Sequence, residues 1–286
     1  MTARAGRAYK VAVMNTSLDQ SPAVETVNLV RRFGEFVAVD HINLRVERGQ
    51  FFGFLGPNGA GKSTTIKMLT GLLAPTEGEA RVLGHDIVRE PLEVKRRIGV
   101  VPEDLNLFER LTGAEMLSFT GRMYGLGREE TGERARELLA LMELDAEPRK
   151  LVVEYSHGMK KKLSLACALI HRPEALFLDE PFEGVDAVAS RTLKDLLLKL
   201  TARGLTVFLT SHVLEIVERL CTHIGIVAGG RLVTTGALDE LRRGIEVVSG
   251  GAGDAGEARG PVSLEDYFIR VVGGARPAGE DALSWL

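Results

Sequence analysis

Gly56-Pro57-Asn58-Gly59-Ala60-Gly61-Lys62-Ser63 follows an apolar, strand-like run at 50–55 and opens a helix-patterned stretch at 62–73. Glycines at this spacing let successive backbone N–H groups turn inward around phosphate oxygens, and a helix starting there aims its positive dipole end at the same point. This is the phosphate-loop pattern, met in the strand–loop–helix setting that gives it meaning. Within it Lys62 reaches the β and γ phosphates, Ser63 places its hydroxyl on Mg²⁺, and Thr64 bonds a phosphate nearer the sugar.

Outward from the loop, short apolar runs alternate with helical patterns, the order of a mixed α/β fold in which strands and crossover helices stack in layers. Strands are expected at 26–30, 42–46, 50–55, 79–83, 98–101, 175–178, 206–210, 224–228 and 231–235, with a turn at 75–78. From about 103 to 170 the spacing becomes helical, at 114–124, 133–141 and 159–170, and reads as a helical insertion in the sheet. Residues 1–24 lack periodicity and read as a loose tail. After 243 the run Gly250-Gly251-Ala252-Gly253 marks a flexible connector. Ser263-Leu264-Glu265-Asp266 then has the form of a helix start, with Leu264, Phe268 and Val271 on one face, so 244–286 reads as a linker and a short helical extension.

The bulk numbers narrow the field of functions. With 286 residues and 45% hydrophobic content the chain can build one large domain with an appendage. A net charge of -3 gives no global field for nucleic acid, and none is expected as a partner. Two cysteines, Cys167 and Cys221, provide neither a disulfide framework nor paired zinc ligands, which fits a reducing compartment. No apolar run reaches the roughly 18–20 residues of a membrane span, and the first residues lack a signal peptide's apolar core, so a soluble chain is expected.

A second acidic element completes the chemistry. Residues 175–178 form a buried-strand run, and Asp179 and Glu180 stand at its C-terminal end, the edge at which open α/β sheets bind ligands. Asp179 holds Mg²⁺ through water in this reading, and Glu180 polarises the attacking water as general base or orients it. Thr210-Ser211-His212 ends another strand, placing His212 within reach of the same edge. His41, His85, His171 and His223 have no metal-ligand spacing. Tyr155-Ser156-His157-Gly158-Met159 has, by itself, the form of a capped helix start, and Lys160, Lys161 and Lys162 after it read as a solvated face.

Taken together, these residues resemble the ATP-binding subunits of ABC transporters over about 25–243. The resemblance implies a P-loop ATPase of ABC type: a RecA-like mixed sheet, an antiparallel β subdomain and an inserted helical subdomain at about 103–170. It implies that Phe33, 29 positions before Lys62, stacks on adenine. Val101-Pro102-Glu103 falls where the family carries its Gln loop, with Glu103 in place of the usual Gln and able to accept a water or ligate Mg²⁺. Tyr155 to Met159 is similar to the family signature, departing from it at His157 and Met159 in a manner similar to export-associated members. By that likeness Ser156 and Gly158 present a hydroxyl and an N–H to the γ-phosphate of the other subunit. Asp186, in Glu183-Gly184-Val185-Asp186, matches the acidic residue of the loop that crosses to it. His212 matches the switch histidine.

The expectation is therefore an ATP-hydrolysing, Mg²⁺-dependent subunit that dimerises head to tail with a like or unlike second ATP-binding subunit. It would drive a separate transmembrane permease from the cytoplasmic face of the membrane. An ABC-type ATPase serving DNA maintenance or the ribosome, or a regulatory module of low turnover, stands as the alternative. Long coiled-coil insertions or tandem nucleotide domains would mark the former, and the chain shows neither.

Overall fold

In a computed structural model describing residues 21–241, 264, 265, 268 and 269, the elements follow one another around two sheets. β1 (Val24–Phe33) and β2 (Phe36–Val46) form a hairpin, β3 (Phe51–Leu55) runs into the phosphate loop, and α1 (Lys62–Leu69) leaves it. β4 (Glu77–Val82), β5 (His85–Asp86), α2 (Pro91–Arg97) and β6 (Ile98–Val101) come next. α3 (Gly113–Met123), α4 (Arg128–Leu141) and α5 (His157–Leu169) form the helical segment. The chain returns through β7 (Ala175–Asp179), α6 (Ala187–Thr201), β8 (Thr206–Ser211), α7 (Leu214–Leu220), β9 (His223–Ala228) and β10 (Arg231–Ala237).

One sheet has the order β2-β1-β4-β5 and is antiparallel. The other has the order β10-β9-β3-β8-β7-β6; its strands run parallel except β10. β3 and β7 are buried at every position, as parallel strands covered on both faces must be, which is why their sequences are continuous apolar runs. Phe208 of β8 anchors the layer between the sheets, its ring 5.4 Å from Phe52, 5.5 Å from Phe54 and 5.6 Å from Phe177. Burial of each such ring stabilises the layer by about 1.5–3 kcal/mol. On the opposite face of the larger sheet, leucines of α3 to α7 build a second apolar cluster. Leu264 is buried against this cluster and Phe268 packs on it, so this part of the extension is docked; Val271 and the Gly-rich connector lie outside the described residues, as does the tail up to residue 20.

Local chemistry explains where helices depart from the expected bounds. α1 ends at Leu69, short of 73, because Thr70 turns its hydroxyl onto the Ile66 carbonyl at 2.8 Å and Gly71 takes φ 67°. α4 begins at Arg128, ahead of 133, with Glu129 and Glu130 in its first turn facing the dipole. α3 carries a reciprocal capping box between Thr112 and Glu115. α5 begins at His157 because Ser156 accepts the Met159 N–H at 3.2 Å.

Candidate active site

The parallel register of the larger sheet brings the C-terminal ends of β3, β7 and β8 side by side, with Asp179 opposite Thr210. At this edge opens a cleft of about 290 Å³ lined by the loop residues 58–64, Glu103, Glu180, Phe36 and Ala38. The loop is held by close backbone packing: a Cβ on Gly61, at φ 99°, would stand 2.4 Å from the Ala38 carbonyl oxygen.

Lys62 is buried, its Nζ donating to the Gly56 carbonyl at 2.8 Å and lying 3.3 Å from that of Pro57 and 3.5 Å from Glu180 Oε1. Ser63 Oγ stands 3.2 Å from Asp179 Oδ1 and 3.4 Å from Glu103 Oε2. These hard oxygen donors suit Mg²⁺. Among the described residues no group of three or more His, Cys, Asp or Glu could hold a metal alone. Ser63, Asp179 and Glu103 would therefore hold Mg²⁺ together with substrate phosphates, the usual arrangement for this ion, which neutralises phosphate charge when bound.

Glu180 Oε1 is buried, 3.1 Å from His212 Nδ1, yet makes no well-directed hydrogen bond to it or to Lys62. A buried carboxylate oxygen left with capacity to accept is what a base aimed at a water requires. The backbone of Glu180 is itself unusual, at φ 44°, a left-handed geometry that costs a residue with a Cβ about 1–2 kcal/mol. Its N–H donates to Thr210 Oγ1 at 3.1 Å, and the Thr210 hydroxyl donates to Asp179 Oδ1 at 2.6 Å.

The remaining candidate residues lie away from this cleft. Phe33 does not line it; the ring is half-exposed and covered by the Arg31 guanidinium at 4.5 Å, while Phe36, its partner across the hairpin, does line it. Ser156 caps α5 at an exposed position, and Gly158 is buried where a Cβ would come 3.3 Å from Asp186 Oδ2. Asp186 caps α6, accepting from Val188 and Ala189 N–H, and these backbone bonds hold its carboxyl below the usual range.

The lysines after the signature are not a solvated face, contrary to the expectation from their charge run. Lys160 pairs with Glu109 at 3.0 Å and Lys162 with Glu143 at 2.9 Å, while Lys161 is 2% exposed and turned inward. Three site residues were thus missed by pattern reading: Thr210, Lys161 and Phe36.

Residues 39–183 match the family model described as ABC transporter. The chain belongs to the ABC transporter family. It is 42% identical over 233 residues to the daunorubicin resistance ATP-binding protein DrrA3 of Streptomyces coeruleorubidus, covering 80% of this chain and 74% of that one. It is 36% identical to the probable multidrug ABC transporter ATP-binding protein YbhF of Escherichia coli K12, over 87% of this chain and 41% of that protein; the chain thus spans less than half of that relative's length. Its fold superposes on the dimeric, post-hydrolysis ATP-binding cassette MJ0796 bound to ADP and Pi, with a TM-score of 0.70 at 26% identity, over 75% of this chain and 98% of that one. The α/β fold, with its mixed and antiparallel sheets and helical segment, is the ABC ATPase fold.

Proposed function

We propose that the chain is the ATP-hydrolysing subunit of an ABC exporter. The observation that carries this reading is that Lys62, Ser63 and Glu180 line one cleft at the strand edge, with Asp179 against Ser63 and His212 against Glu180. Backbone N–H groups of the loop and Lys62 hold the triphosphate, Ser63 and Asp179 with Glu103 hold Mg²⁺, and Glu180 takes the proton of a water kept in place by His212. An aromatic ring of the β1–β2 hairpin, Phe33 or Phe36, receives the adenine.

Two copies act head to tail, each cleft completed by Ser156 and Gly158 of the other copy. Their position at the N-terminus of α5, outside their own cleft, supports that arrangement. Closure on ATP and reopening after hydrolysis then drive a separate permease at the cytoplasmic face of the membrane. Among the described residues no helix is long and apolar enough to cross a membrane. Daunorubicin resistance and multidrug transport in the names of the two relatives support export.

Replacing Glu180 by Gln tests the reading. The variant is expected to bind ATP and accumulate as a closed dimer by size exclusion, with turnover down by roughly 10²–10³-fold. Unchanged hydrolysis in that variant would sink it.

A further inference from the structure

The lysine at the second position after the signature stretch is buried between the two loops that carry Glu103 and Glu180. Lys161 projects from the second turn of α5, and its Nζ donates to the Glu180 carbonyl at 3.2 Å and to the Glu103 carbonyl at 3.3 Å. Glu103, Asp179, Glu180 and Glu183 surround it; their charges oppose the burial that lowers its pKa. A buried ammonium is costly unless such partners hold it.

The peptide units flanking Glu180 are therefore pinned from both sides by side chains: the N–H by Thr210 and the carbonyl by Lys161. This matters because Glu180 is held at φ 44°, a geometry that persists only where the surroundings over-determine it. Released from the clamp, the backbone would relax toward negative φ and swing the carboxylate away from Lys62 and His212.

We propose that Lys161 is a positioning residue for hydrolysis, tying the signature helix α5 to the left-handed backbone of Glu180 so that the carboxylate stays aimed into the cleft. The proposal rests on the reading of Glu180 as the base. It gives the helical segment a direct mechanical connection to that residue within one chain: a shift of α5 pulls on the carbonyl of Glu180. The same ammonium supplies a cation next to Glu103, where this chain carries a carboxylate.

The test places Lys161→Met in two backgrounds and measures steady-state ATP hydrolysis, binding of a fluorescent ATP analogue and thermal unfolding. In the otherwise unchanged chain, kcat is expected to fall roughly 10²-fold, as for a catalytic group displaced by about 1 Å, with KM and analogue affinity held within about 3-fold. In a Glu180→Gln background the same substitution is expected to lower the residual rate by less than about 2-fold, because there is no base left to position. Equal losses in both backgrounds, a parallel loss of analogue binding, or no loss in either overturns the proposal. Lys161→Leu, which likewise carries no donor for the Glu180 carbonyl, is read by the same criteria if the Met variant does not fold, and insolubility of both would assign Lys161 to the fold and overturn the proposal as well. Failure of Glu180→Gln to reduce turnover would instead overturn the reading on which it rests.

Discussion

The Thr210 hydroxyl donates to Asp179 Oδ1 at 2.6 Å while accepting the Glu180 N–H, so one side chain of β8 orients both acidic residues at the end of β7. All three residues are buried, and the hydrogen bond reaches a group read as charged, which is worth about 1.5–3 kcal/mol. Thr210→Val keeps the shape and removes both contacts. It is expected to lower kcat by about 10-fold or more, with a lower unfolding midpoint, whereas Thr210→Ser keeps most of the rate. Steady-state ATPase assays and thermal unfolding of the two variants check this.

Glu103 predicts an altered metal requirement. Its Oε2 stands 3.4 Å from Ser63 Oγ, which itself touches Asp179, so the carboxylate adds an anionic oxygen where Mg²⁺ is to be held. Attraction between unlike charges at such distances remains several kcal/mol per pair at an effective dielectric of about 20. Glu103→Gln is therefore expected to raise the half-saturating Mg²⁺ concentration several-fold, read by titrating the ion at fixed ATP. A half-saturation point unmoved by the substitution would remove Glu103 from the metal site.

Which parts of this were legible in the sequence follows from what each signal depends on. The loop at 56–63 and the strand end at 179–180 announce themselves because their function requires particular residues at adjacent positions in a local strand–turn context. Thr210 does not, since a threonine in an apolar run is what β propensity alone would supply; only the register pairing it with Asp179 reveals its work. Lys161 was masked by its neighbours: three lysines in a row look like surface, yet the 3.6-residue period sends each a different way. The β1–β2 hairpin shows the same limit, because an aromatic at 33 fits the family pattern, whereas the place of Phe36 at the cleft shows only once the two rings are paired across the hairpin.

His171 predicts a pH dependence of stability. Its ring stacks on Tyr124 at 3.6 Å and Nε2 donates to the Ile98 carbonyl at 2.9 Å, while Nδ1 is buried with no partner. Burial lowers its pKa from 6.5, because a proton added at Nδ1 would find no acceptor. Folding thus binds fewer protons than the unfolded chain below that value, so the stabilising contribution is complete above 6.5 and is lost as pH falls through the depressed folded value. Denaturation midpoints measured between about pH 5 and pH 8 are expected to fall on acidification more steeply than in a His171→Gln variant. Parallel profiles for the two proteins would count against it.

Two glycines of the loop separate folding from binding. At Gly56 a Cβ would lie 2.3 Å from the Val227 carbonyl oxygen and 2.8 Å from Val227 Cγ1, so β3 and β9 would have to part to admit it. At Gly59 a Cβ would meet nothing within 4 Å, and only its φ of 79° opposes a side chain. Gly56→Ala is therefore expected to cost more than about 3 kcal/mol and to fail in folding or unfold early. Gly59→Ala is expected to cost about 1–2 kcal/mol, the ordinary strain of a left-handed residue, and to remain folded. Because Gly59 lines the cleft, its new methyl group enters space assigned to phosphate, and nucleotide affinity is expected to drop roughly 10-fold, a loss of about 1.4 kcal/mol. Chemical denaturation and equilibrium binding of an ATP analogue distinguish the two effects; a Gly59→Ala protein that binds as tightly as the parent would mean that the phosphates do not approach this turn.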